Sequence, residues 1–297
     1  MKRFTFAGAP ADSSGRPGGT EHGPDALRDV GLMAAMNSGH AKDLDTLMRG
    51  TRRDGASGLV ALEGVIEATL VLRRRLGQLI EDGQMPFVAG GCNAVLPGAV
   101  AGARDGLARG KALGLVSLSG HMDLYDGDTS PEGHGASMAL ATALGRGPRA
   151  WGALLGDQAP VRPEDVAMVG FRDREEAERA GALMPEDFQP HLGAYDLEHI
   201  RNAGAAATAR AVLGRVAGPG TRFWLHINVD VFDEMAFPAA NHLMPGGLDW
   251  DDAATLLRPL VTSPALIGLS LCGYVPGRDE GSSCGLHLVD MFRSLSS

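Results

Sequence analysis

Leu113-Gly114-Leu115-Val116-Ser117-Leu118-Ser119-Gly120-His121-Met122-Asp123 is the stretch on which the reading of this chain turns. The run from Leu113 to Leu118 is mostly apolar, has strand length, and stops abruptly at small and ionisable residues. Four more runs share its character. They are Pro86-Phe87-Val88-Ala89, closed by Gly90-Gly91; Val166-Ala167-Met168-Val169-Gly170; Phe223 to Val229, closed by Asp230-Val231-Phe232-Asp233; and Ala265 to Leu271. Helical patterns lie between them. Residues 59–82 carry Val65, Ile66, Leu70, Leu72 and Leu76 at helical spacing, and Gly133-His134-Gly135 leads into a helix through Ser137, Met138, Ala139, Leu140 and Ala141. Buried strands alternating with helices predict a three-layer α/β/α sandwich with a mostly parallel central sheet. No repeat, low-complexity tract or linker interrupts the pattern, so residues 1–297 read as one domain. Residues 8–20, rich in Gly, Pro and Ser, read as a surface loop.

Composition narrows the partners. The 297 residues are 44% hydrophobic and 21% charged, enough for a large core and against wholesale disorder. A formal net charge of −9 argues against a nucleic-acid groove or an anionic membrane surface. No apolar run reaches the roughly 18 residues a membrane span needs. Met1-Lys2-Arg3 is not followed by a long apolar segment, so no secretory signal is expected. Three cysteines (Cys92, Cys272 and Cys284) with no C-x-x-C pair fit a reducing, cytoplasmic setting. The partner expected is a small polar molecule, with neither nucleic acid nor membrane.

In open α/β sheets ligands bind beyond the carboxyl ends of the strands, which points to residues 90–93, 119–126, 226–233 and 270–276. Ser119, His121 and Asp123 are spaced i, i+2, i+4, and in an extended segment they share a face. Asn228 and Asp230 do the same on another strand end, and His226 precedes them on that face. Imidazole and carboxylate groups gathered there can hold a divalent metal or transfer protons. Taken alone, the pattern equally fits a structural histidine and turn-capping aspartates. Cys92, beside a strand end and a helix start, is a candidate nucleophile or a small buried hydrophobe.

The order of the motifs adds a resemblance. Gly90-Gly91-Cys92-Asn93, Ser119-Gly120-His121-Met122-Asp123, Gly133-His134-Gly135, Val169-Gly170-Phe171-Arg172-Asp173, Asn228-Val229-Asp230-Val231-Phe232-Asp233 and Pro245-Gly246-Gly247-Leu248 resemble, in the same order, the motifs of the ureohydrolase (arginase, agmatinase and formiminoglutamase) family. Gly23-Pro24-Asp25-Ala26-Leu27-Arg28 near the start and Tyr274-Val275-Pro276-Gly277-Arg278-Asp279 near the end extend the resemblance over nearly the whole chain. It implies an arginase-like fold, hydrolysis of a C–N bond in a small amidino, guanidino or related substrate, and a homo-oligomer, a trimer or hexamer.

That family holds two Mn²⁺ ions with two histidines and four aspartates. The corresponding positions here are Asn93, Ser119, His121, Asp123, Asn228 and Asp230. The bridging carboxylates are replaced by Ser119 and Asn228, and neither a hydroxyl nor an amide bridges two dications. A binuclear manganese centre is therefore not expected. What remains is no metal, or one divalent ion (Mn or Zn) on His121, Asp123 and Asp230. The catalytic candidates are His121, Asp123 and Asp230, with His134 as proton shuttle and Cys92 as a covalent alternative. Asn93, Ser119, Asn228 and His242 are candidate substrate contacts. The family glutamate that clasps a guanidinium aligns with Gly273, which argues against arginine and agmatine. A non-catalytic protein that kept the fold for ligand binding or assembly is the alternative.

Overall fold

The computed structural model describes residues 2–16, 19–45 and 48–296. Its framework is one sheet of eight strands: β1 Phe4–Ala9, β2 Ser38–His40, β3 Pro86–Gly90, β4 Ala112–Leu118, β5 Val166–Val169, β6 Gly193–Tyr195, β7 Thr221–Asn228 and β8 Leu266–Cys272. Their order is β2-β1-β3-β8-β7-β4-β5-β6, and every pairing is parallel.

The strands are apolar because both faces are covered. Leu113, Leu115, Val88 and Trp224 pack into one core, with Val65, Leu72 and Leu76 of the helix Leu62–Glu81 and Ala99 and Val100 of the helix Leu96–Gly106. Val116, Leu118, Phe87, Leu225 and Leu269 turn the other way, toward the helices Ala205–Val216, Trp250–Thr262 and Ser283–Ser296. Each fully buried leucine or phenylalanine is worth roughly 1.5–3 kcal/mol of transfer free energy, so this alternation fixes the strands' register. The three-layer α/β/α architecture read from the sequence is the one observed.

The details differ in instructive ways. The first long helix spans Leu62–Glu81 rather than 59–82, because Ala61 takes a left-handed conformation at its start. Strands β1, β2 and β6 were not among the expected runs. The stretch 8–20 is not simply a surface loop: Gly8 and Ala9 belong to β1, and Asp12 and Ser13 are buried. Pro17 and Gly18, part of that expected loop, lie outside the described residues. No helix among the described residues is long and apolar enough to cross a membrane.

β3, β8, β7 and β4 are adjacent, so their carboxyl ends form one edge. Their register also carries a polar row into the apolar sheet: Ser117 pairs with His226, and His226 with Ser270.

Candidate active site

The segments after β3, β4, β7 and β8 line a cavity of about 590 Å³. Asn93, His121, Asp123, Asn228 and Asp230 face it, with Cys92, His134, His242 and Gly273 at its walls. Ser119 is 1% exposed and stands behind Asp230 rather than at the cavity surface.

Asp230 is the best-held group. It follows β7 in a short turn begun by Asn228, whose side chain accepts a hydrogen bond from the Asp230 N–H at 3.1 Å. Its carboxylate accepts from the Ser119 hydroxyl at 3.0 Å and the Gly120 N–H at 2.8 Å, and meets His121 Nδ1 at 3.0 Å. Burial raises its affinity for a proton, but the hydrogen bond and charge of His121, with Gly120 and Ser119, hold it below the usual carboxylate range. Burial pulls His121 down in turn, yet the hydrogen bond and charge of Asp230, with Asp173 and Asp123 behind, raise it to about 9. At neutral pH the two are an imidazolium and a carboxylate.

Asp123 was expected to share a strand face with His121. β4 ends at Leu118, and Asp123 has φ of 54°, so a turn rather than an extended alternation aims its side chain. It is 4% exposed and takes an amide N–H of Asn93 at 2.6 Å. Burial, then the charge of Asp230, raises its pKa well above the ordinary value. The pKa values of two neighbouring carboxyls are thus driven apart, Asp230 downward and Asp123 upward.

A directional row of hydrogen bonds lies beneath Asp123. The Asp230 backbone N–H obliges Asn228 Oδ1 to accept, so Asn228 Nδ2 donates to Asn93 Oδ1 at 2.9 Å. Asn93 Oδ1 also faces His226 Nε2 at 3.0 Å, so that nitrogen carries hydrogen and Asn93 presents its amide N–H to Asp123. His226 Nδ1 then accepts from Ser270 Oγ at 2.7 Å, and Ser270 accepts from Trp224 Nε1 at 3.0 Å. Burial drives His226 down to about 4, so it stays neutral. The sequence left open whether His226 enters the site or packs on a neighbouring strand. It is fully buried, bonds Ser270 of β8 and orients Asn93 from behind the cavity surface.

Cys92 lines the cavity wall as a half-buried thiol. Burial and the Asp12 charge push it up to about 11, which opposes the thiolate a nucleophile needs. Cys272 and Cys284 are buried packing residues. Sequence reasoning missed Asp173 and Glu132. Asp173 accepts the Met122 N–H at 3.0 Å, sits close enough to raise His121, and is itself raised by burial to about 6. Glu132 stands two residues before His134, a spacing that offered the one available signal. Its carboxylate lies 2.9 Å from His134 Nδ1 and 4.0 Å from His242 Nε2. Burial, set against the charge of Glu132, lowers the pKa of His134.

The arginase-family model matches residues 2–295. The chain belongs to the arginase family. It is similar to an arginase of Bacillus caldovelox, 24% identical over 99% of this chain and 98% of that protein. An arginase of Brucella melitensis is 27% identical over 96% of this chain and 92% of its own length. In fold, the crystal structure of the Bacillus caldovelox arginase superposes with a TM-score of 0.86 at 22% identity, covering 99% of this chain and 98% of that one.

The family is metal-dependent, and in this chain the polar side chains of the floor are engaged with one another. Asn93 and Asn228 turn amide N–H groups inward, and Ser119 points its hydroxyl hydrogen at Asp230. A cation placed among them would face donors, not lone pairs. Asp123 is hydrogen-bonded to Asn93 and interacts with the His121–Asp230 pair through charge. Among the described residues, the three ligand atoms that do come within 4.8 Å of one another belong to Glu132, His134 and His242.

The His121–Asp230 pair carries a pH signature. A histidine raised from about 6.5 in the unfolded chain to about 9 in the fold contributes stability that is complete below about pH 6.5. That stability is lost as pH rises through 9, and the shift corresponds to about 3 kcal/mol. Urea unfolding between pH 6.5 and 9.5 should show this loss. The His121→Gln protein should show a clearly flatter slope over the same window. Parallel slopes in the two proteins would contradict the pairing.

Proposed function

We propose that this protein hydrolyses a C–N bond of a small amidino, guanidino or related polar substrate, using His121, Asp123 and Asp230 for acid–base chemistry in place of a metal pair. What supports this reading is geometry: the Asp230 carboxylate lies 3.0 Å from His121 Nδ1, and Asp123, held by the Asn93 amide at 2.6 Å, lines the same cavity with its pKa raised by burial and by the charge of Asp230.

In this scheme Asp123, once ionised, takes a proton from a water that attacks the substrate carbon. The tetrahedral adduct collapses, the C–N bond breaks, and His121 gives its Nε2 proton to the departing nitrogen. Asp230 keeps Nδ1 engaged, so Nε2 is the nitrogen left for the cavity. Asn93, aimed by His226 and Asn228, sets the position of the base. General acid–base catalysis of this kind contributes roughly 10²–10⁴-fold.

Ammonia release from a panel of amidines, guanidines and formimino compounds tests the scheme. Turnover of one of them should fall at least about 100-fold in His121→Ala and Asp123→Asn, and should decline above pH 9 as His121 loses its proton. Wild-type turnover in both variants would defeat the assignment. Arginine and agmatine should not release urea at an ordinary rate of about 1 s⁻¹, because position 273 offers no carboxylate. Binding without turnover of any member would favour the reading in which the fold is kept for ligand binding alone, an outcome consistent with the closed hydrogen-bond row beneath Asp123.

A further inference from the structure

We propose that Glu132, His134 and His242 form a binding site for one divalent cation of the zinc class at the mouth of the cavity, separate from the floor where relatives place their ions. The ligand types come first. Two imidazoles and one carboxylate are a recurrent three-residue set for a zinc ion that keeps an open position. Borderline-soft zinc prefers such nitrogen donors, whereas manganese and magnesium favour oxygen.

The spacing comes next. Metal–ligand bonds of about 2.0–2.2 Å in a tetrahedral site keep neighbouring ligand atoms roughly 3.3 Å apart. The two separations measured from Glu132 Oε2, 2.9 Å to His134 and 4.0 Å to His242, bracket that value. The third pair lies within 4.8 Å. Glu132 and His242 have side chains 55% and 62% exposed, so small rotations can bring all three to one centre.

Support behind the ligands is firm. The Glu132–His134 loop is pinned by Arg53, which donates to Gly127 O at 2.9 Å, Ser130 O at 2.8 Å and Pro131 O at 3.2 Å. The Val60 N–H donates to Gly133 O at 2.8 Å. Gly133 itself has φ of +73° and packs against the Gly58 carbonyl, so no side chain fits between the two ligands. His242 comes from a different loop, held where Arg278 donates to Ala240 O at 2.6 Å and Arg172 to Met244 O at 2.9 Å. Two independently fixed loops therefore present ligands to one point, the arrangement that lowers the ordering cost of binding.

Glu132, His134 and His242 all line the cavity. The His242 ring stands edge-on to His121, with centroids 6.0 Å apart. The site does not depend on the reaction proposed above.

Full-length protein, stripped with a chelator and dialysed, should be titrated with Zn²⁺ by calorimetry and with Co²⁺ by visible absorption. The expected result is one Zn²⁺ per chain and Co²⁺ bands of a four- or five-coordinate ion. Glu132→Gln, His134→Ala and His242→Ala should each weaken Zn²⁺ binding roughly tenfold or more, with unchanged circular dichroism. Asp123→Asn and Asp230→Asn should retain the wild-type affinity. No binding at 100 equivalents of Zn²⁺ would overturn the proposal. So would binding indifferent to all three substitutions, or lost in the Asp123 or Asp230 variant instead.

Discussion

Replacing Asp230 with alanine is expected to lower folding stability by about 3–5 kcal/mol and to eliminate turnover. Its carboxylate is 7% exposed and serves the Ser119 hydroxyl, the Gly120 N–H and His121 at once. Alanine leaves all three without their acceptor, and it strips a cationic imidazole of its counter-charge in a poorly solvated place. Buried donors left unmet cost about 1–3 kcal/mol each, and an ion pair broken on one side costs more than its net worth when intact. Chemical denaturation at pH 7 measures the loss. Asp230→Asn should be milder, because its amide oxygen can still accept from Gly120. If alanine costs under 1 kcal/mol, Asp230 is not the anchor described here.

Gly273→Ala should be nearly as damaging, for a steric reason. A Cβ at position 273 would stand 2.1 Å from Asn228 Oδ1, and the residue has φ of +92°. Left-handed strain costs of order 1–3 kcal/mol and overpacking typically 1–3 kcal/mol more, so a loss of about 3 kcal/mol or greater is expected. The displaced Asn228 would release both the Asp230 N–H and Asn93. The double variant Gly273→Ala/Asn228→Gly removes the collision and keeps the backbone strain. It should recover part of the loss, a positive coupling of about 0.5–3 kcal/mol. A Gly273→Ala protein as stable as wild type would show that Asn228 is free to move. The same collision bears on substrate choice. With Asn228 where it is, position 273 has no room for a carboxylate side chain.

The strands that cross the middle of the sheet were legible because burial on both faces writes a continuous apolar run. Leu113–Leu118 and Phe223–Ile227 announce themselves. β2, Ser38-Gly39-His40, and β6, Gly193-Ala194-Tyr195, sit at the two edges. Edge strands need no such run, so nothing in their residues marks them. The gathering of Asn93, Asp123, Asn228 and Asp230 followed from motif order, since each motif closes a strand. Which atom would face which did not follow. Asp123 turns on a left-handed residue, and only the fixed direction of one backbone N–H decides how two asparagine amides lie. Helix-start geometry, which offered Cys92 as a nucleophile, said nothing of the burial and the neighbouring Asp12 charge that push its thiol up. Glu132 escaped notice because its partner His242 arrives from a loop 110 positions later in the sequence.

The row running from Trp224 through Ser270, His226 and Asn93 has one more consequence. Every donor in it points the same way, from the sheet interior toward Asp123. Successive dipoles aligned head to tail polarise one another, so the row acts as a small permanent electret set beneath the cavity floor. Its polarity cannot be inverted piecemeal: turning one amide over would place hydrogen against hydrogen or lone pair against lone pair at both of its neighbours. A histidine or aspartate introduced at position 93 alone would therefore meet a scaffold still wired for an amide. Restoring ion ligands at this floor would therefore take coordinated changes at several of these positions.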